Sequence, residues 1–117
     1  MKKLEIHQLT TLDRLIHEPA RLMIVALLYT VENADFLFLQ RETGLSKGNL
    51  SIHLSKLEQA GYVQIEKTYR GKLPLTLCTL TETGREAFQN YRQRLLYLVS
   101  ATGNNDVPPA LNLAPAE

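Results

Sequence analysis

Residues Ser46 to Gly61 read SKGNLSIHLSKLEQAG and gather the side chains best placed to act on a partner. At about 100° per residue, Leu50, Leu54 and Leu57 share one side of a helix. Gly48, Ile52, Ser55 and Gln59 lie opposite, flanked by Asn49, Ser51 and Lys56, and His53 sits nearer the boundary. With Ser46 and Lys47 at the start, this outer side offers hydroxyls, an amide and ammonium groups on a face of low relief. Such a set recognises by hydrogen bond, charge and apolar contact, and no separate acid or base is marked that would turn its serines and histidine to catalysis. Gly48 lowers helix stability by about 1 kcal/mol relative to alanine, so the position points to close approach of a partner. A glycine just after a cap is also tolerated near a helix start, and lone exposed isoleucines are common. The two residues therefore carry weight only within a larger pattern.

Motifs for other chemistries are missing. Gly44 and Gly48 are not followed by the Gly-Lys-Ser/Thr of a phosphate loop, and there is no nucleophile elbow, so an enzyme is not expected. His7, His17 and His53 show no ligand spacing, and the single Cys78 can form neither a thiolate cluster nor an internal disulfide. No metal and no cofactor are expected, and Cys78 reads as a small strand hydrophobe.

Charge adds a second clue. The chain of 117 residues carries a net +1, but 46–73 holds Lys47, Lys56, Lys67, Arg70 and Lys72 against Glu58 and Glu66, a local +3 compatible with a polyanionic partner. At 44% hydrophobic and 21% charged residues the composition is that of one globular domain. Met1-Lys2-Lys3 leads into residues too polar for a signal peptide, and the apolar run from Leu22 to Tyr29 is too short to span a membrane. A cytoplasmic protein without membrane contact is the expectation.

The elements that must position these groups follow from periodicity and caps. Leu9, Leu12, Leu15 and Ile16 recur at helical spacing and predict a first helix ending near His17. Pro19 suits the first turn of a second helix, 20–31, apolar nearly all round and expected at the centre of the core. Asp35 can cap a third helix that Gly44 stops, and Ser46 can cap the fourth. Helix, short Gly-containing turn, helix is the helix-turn-helix arrangement. The period then changes to two. Tyr62, Val63 and Ile65 predict one strand and Leu75, Leu77 and Leu80 another, with Gly71 at the tip of a hairpin between Arg70 and Lys72. Thr81 or Thr83 starts a long last helix through Phe88, Tyr91, Leu95, Leu98 and Val99. The fold class is mainly α with a small β-hairpin (α+β), residues 1–101 forming the domain and 102–117 a flexible tail.

Helix-turn-helix followed by a basic hairpin is the plan of a winged helix. The stretches HEPARLMIVALLY, LSKGNLSIHLSKLEQAGYV and EKTYRGKLPLTLCTLTETGREAF resemble the winged helix-turn-helix transcriptional regulators of the MarR/ArsR-like superfamily, in particular the small winged-helix DNA-binding domain subfamily. In such a fold the 46–61 helix enters the major groove of double-stranded DNA and its first residues reach base edges. Asn49 can pair with adenine, Lys47 can reach guanine or phosphate, and Ile52 can rest on a thymine methyl. Arg70 and Lys72 at the tip of the 68–74 wing, with Lys56 and Lys67, can lie along phosphates. His53 can donate to a phosphate or to nearby backbone.

The resemblance also implies a homodimer. Leu9, Leu12 and Ile16 near the start and Phe88, Tyr91, Leu95, Leu98 and Val99 near the end supply candidate N- and C-terminal dimerisation helices. The same stripes could instead fold back on one monomer. The expected function is a sequence-specific transcriptional regulator, taken as a repressor. A winged-helix module that binds protein instead of DNA is the alternative, and nothing in the sequence identifies a small-molecule effector.

Overall fold

The structure is a computed structural model that describes residues 6–103. After a short 3-10 helix, Ile6–Thr11, the elements run α1 (Pro19–Thr30), β1 (Ala34–Asp35), α2 (Phe36–Thr43), α3 (Lys47–Gln59), β2 (Val63–Arg70), β3 (Leu73–Leu80) and α4 (Glu82–Thr102). Each helix starts where a side chain can satisfy an otherwise unpaired amide. Glu18 accepts from Arg21 N, Asp35 from Phe38 N, Ser46 from Asn49 N and Thr81 from Gly84 N. Gly44, at φ 73, ends α2 in the left-handed conformation that lets the chain reverse into Ser46 and α3.

The strands form an antiparallel sheet in the order β1-β3-β2. Register runs from Val63↔Leu80 to Arg70↔Leu73, leaving Gly71 and Lys72 as a two-residue turn, with Gly71 at the positive φ of 65 that such tight hairpins require. Pro74 pairs with Tyr69 in the part of β3 that β1 does not reach, where the far edge is open and a missing N–H is tolerated. The sheet has one strand more than the predicted hairpin: Asp35, predicted as a helix cap, and Ala34 before it pair with Leu77 and Cys78.

The core gathers Ile24, Val25 and Leu28 of α1, Leu39 of α2, Leu50, Leu54 and Leu57 of α3, Val63, Cys78 and Leu80 of the sheet, and Phe88 and Tyr91 of α4. Burial first, and then the carboxylates of Asp35 and Glu58, push the Cys78 thiol up to about 11, so it stays protonated and unreactive at neutral pH. Among the described residues no helix is long and apolar enough to cross a membrane.

The first predicted helix is corrected. Instead of running to His17 it stops at Thr11, because Asp13 turns the chain by accepting from the amides of Leu15 (2.9 Å) and Ile16 (3.1 Å) through one carboxylate oxygen. Ile16 is thereby swung fully into the monomer core. With Phe88 and Tyr91, 8% and 2% exposed, it is committed to packing within one chain and leaves the predicted dimer face to other residues. Thr102 closes α4, and the part of the predicted 102–117 tail from 104 on lies outside the described residues.

The turn at 13–17 is latched to the body by two phenols. Tyr62 donates its hydroxyl to Asp13, and Tyr91 Oη lies 2.7 Å from His17 Nδ1. Burial, reinforced by the bond to Asp13 and by that residue's charge, pushes Tyr62 up to about 12 from an ordinary value of 10. An acid whose pKa is raised by folding binds its proton more tightly in the native state, so stability falls as pH rises. The contribution is complete below pH 10 and lost as pH approaches 12. Urea unfolding across this window is expected to show a steeper alkaline loss for the wild type than for Tyr62→Phe, and equal slopes would contradict the latch.

Candidate nucleic-acid interface

α3 lies with Leu50, Leu54 and Leu57 on the core, which turns the opposite side outward. Ser46, Lys47, Gly48, Asn49, Ser51, Ile52, Ser55 and Lys56 are all exposed, Ile52 by 54%. This outer face has two different edges. On one, Lys47, Ser51, Ser55 and Glu58 line a groove of about 720 Å³ whose other walls come from α2 and from Ile65, Lys67, Pro74 and Thr76 of the hairpin. On the other, His53 is half-buried against α1.

Pleating decides what the wing presents. Alternate residues share a sheet face, so Lys67 and Tyr69 extend the face that begins with buried Val63 and half-buried Ile65, and Thr76 and Pro74 extend it from Cys78 and Leu80. Tyr69 is 71% exposed on that side, near the tip. Sequence reasoning passed over it in favour of the charges. Counting by twos from Val63 would have found it. Arg70 falls on the opposite face, cross-strand from Leu73, and Lys72 occupies the turn itself.

Electrostatics favour an anion along this surface. Among the described residues, Lys47, Lys56, Lys67, Arg70 and Lys72 are exposed and none is in an ion pair, so their charges are not neutralised within the chain. His53 is the expected contact residue that the structure ties back to α1. Its Nδ1 lies 3.1 Å from Arg21 Nη1 and 3.9 Å from Glu18 Oε1, so one side of the ring is held inside the protein. Glu18 itself is lowered from the usual carboxylate value, chiefly by the hydrogen bond from the Arg21 amide, with the Arg21 charge adding to it against desolvation by burial. Among the described residues no group of His, Cys, Asp and Glu could hold a metal ion.

A helix with an exposed polar face, set beside a basic hairpin by a three-strand sheet, is a surface built to lie against a polyanion. Comparison with known proteins decides the kind. The winged helix DNA-binding domain family matches residues 20–99. The chain belongs to this family. This winged-helix protein is 36% identical over 85 residues to an uncharacterized protein of Methanocaldococcus jannaschii, an alignment covering 73% of the chain and 92% of that relative. It shares 26% identity and a TM-score of 0.76 with a transcriptional regulator homologue from Pyrococcus horikoshii, over 83% of this chain and 95% of that one. A MarR family transcriptional regulator from Streptomyces coelicolor, solved in complex with DNA, has the same fold, with a TM-score of 0.64 at 16% identity over 96% of this chain and 83% of that one. The winged-helix protein thus carries a DNA-binding domain over most of its length.

Proposed function

We propose that this winged-helix protein is a homodimeric, sequence-specific repressor that acts in the cytoplasm, lays α3 in the major groove and sets its wing on the flanking DNA. The observation that carries the reading is the outer face of α3, exposed over eight expected contact residues and unneutralised at its cations. Asn49 and Ile52 read base edges, Ser46, Lys47, Ser51, Ser55 and Lys56 bind at or beside them, and Gly48 admits the backbone closely. Lys67, Tyr69, Arg70 and Lys72 hold phosphates from the wing. A domain seated this way excludes other proteins from the same promoter DNA, so occupancy alone represses.

The dimer is supported by the distribution of burial along α4. Its buried residues, Gly84, Phe88 and Tyr91, all lie in its first half. Leu96 and Val99 beyond them are 64% and 47% exposed, beside half-buried Leu95 and Leu98. Leu9 and Leu12 of the N-terminal segment are also half-buried. A second copy packed here would cover that surface and present two α3 helices about one helical turn of DNA apart.

Selection of bound genomic fragments tests the whole reading: two half-sites spaced by about one turn are expected, and a single unpaired site would remove the dimer. Replacing Arg70 and Lys72 together by alanine is expected to weaken binding to all sequences alike and to reduce the salt slope by about 1.8, or roughly 0.9 per lost phosphate contact. An unchanged slope would take the wing off the DNA. The exposure of Leu37, Tyr69 and Leu73, each near 70% (69%, 71% and 69%), favours a second reading in which the wing docks on protein. No binding of any fragment down to low salt would select that reading.

A further inference from the structure

The edge of α3 away from the wing carries a polar cluster with geometry tighter than a solvated surface needs. Arg21, in the first turn of α1, donates from Nε to Leu15 O at 2.6 Å and from Nη1 to His53 Nδ1 at 3.1 Å. Glu18 accepts the Arg21 amide at 2.9 Å. A guanidinium stays charged and has no lone pair to offer, so Nδ1 must supply one and the proton of a neutral ring must sit on Nε2. Among the described residues no hydrogen bond occupies Nε2 and no buried side-chain nitrogen or oxygen lacks a partner, so Nε2 opens to solvent. Helical projection places His53 on the flank shared with Asn49 and Lys56, opposite the groove side.

We propose that Arg21 is a positioning residue for DNA binding, which locks the His53 ring so that its Nε2–H is presented to a DNA phosphate on the flank of α3 opposite the wing. The inference rests on the DNA-binding reading above. Arg21 suits the task because its other donor grips Leu15 O in the turn that Asp13 and His17 latch to Tyr62 and Tyr91. The guanidinium is thus held at two points, and a donor fixed in advance loses little freedom when it binds. The contact also differs in kind from those of the lysines. A neutral imidazole adds a directed hydrogen bond and releases no counterion.

Two measurements test this. Imidazole ¹⁵N spectra of the free full-length protein above the titration of its histidines are expected to show an unprotonated Nδ1 and a protonated Nε2 for His53. They should also show relaxation toward a mixture of tautomers in Arg21→Gln. A protonated Nδ1 in the wild type would overturn the proposal. On a selected fragment, Arg21→Gln and His53→Ala are each expected to weaken binding about tenfold, the loss of one hydrogen bond to a charged group, with the salt slope unchanged for His53→Ala. The double variant should bind no more weakly than His53→Ala alone, because Arg21 acts through the ring. Additive losses would mean that Arg21 supports only the fold. His53→Gln, whose amide nitrogen reaches the place of Nε2, is expected to retain most of the affinity, and it keeps the test decisive if Arg21→Gln does not fold. Wild-type protein that binds no DNA overturns both readings, whereas wild-type binding with additive losses overturns this one alone.

Discussion

Gly84→Ala is expected to destabilise the protein by about 3 kcal/mol, at the upper end of what overpacking usually does, although it replaces the poorest helix former but proline with the best. Gly84 is buried in the first turn of α4, and a Cβ added there would stand 2.3 Å from Tyr62 O and 2.9 Å from Leu80 Cδ1. The leucine methyl can rotate away, but the carbonyl cannot, since it accepts the Thr81 amide at 2.9 Å. Thr81 in turn caps Gly84 N at 3.0 Å and donates to Gly61 O at 2.6 Å, tying the start of α4 to the end of α3 and the start of β2. For a domain of this size such a loss lowers the melting temperature by about 15 °C. A calorimetric scan within a few degrees of the wild type would show that α4 can slide on the sheet.

The same substitution at Gly48 is expected to have the opposite sign for folding. No atom lies within 4 Å of a Cβ added there, and the residue is exposed in the first turn of α3. Gly48→Ala should therefore stabilise the helix by up to about 1 kcal/mol, yet weaken DNA binding about tenfold, or 1.4 kcal/mol, if the α3 backbone approaches the groove at that point. Ile52→Asp carries the larger functional effect. Ile52 is 54% exposed, so stability should change by no more than about 0.5 kcal/mol. A carboxylate set against phosphates should lower affinity at least about a hundredfold, and Ile52→Ala should instead relax preference at one base position. Binding isotherms on a selected fragment beside thermal melts separate the two quantities. A Gly48→Ala protein that binds as well as the wild type would remove the close approach, and an Ile52→Asp protein that still binds would place the DNA elsewhere.

The contrast between the two glycines shows where sequence stops being informative. Both stand early in a helix, each near a serine or threonine cap, and local pattern treats them alike. What separates them is the carbonyl of Tyr62, twenty-two positions before Gly84 and brought to it only by the β2–β3 pairing. Ile16 is a parallel case. Its helical spacing with Leu9 and Leu12 suggested a shared outer stripe, but the Asp13 turn breaks the helix and sends Ile16 inward. Spacing alone cannot see a side chain capturing two backbone amides.

By itself the sequence determined whatever depends on neighbours a few residues apart. It set the caps at Asp35 and Ser46, the left-handed stop at Gly44, the apolar side of α3 and hence its outer face, and the turn at Gly71, and it narrowed the start of α4 to Thr81 or Thr83. These are local because a cap, a turn and a helical face are each closed within one or two turns of chain. Only the tertiary structure decided that Ala34 and Asp35 join the sheet and that Phe88 and Tyr91 belong to the monomer core. It alone joined Arg21 to His53 across thirty-two positions. Such contacts turn on register and on which surfaces meet when α1, α3 and the sheet close around one core, and no periodicity along the chain encodes that meeting.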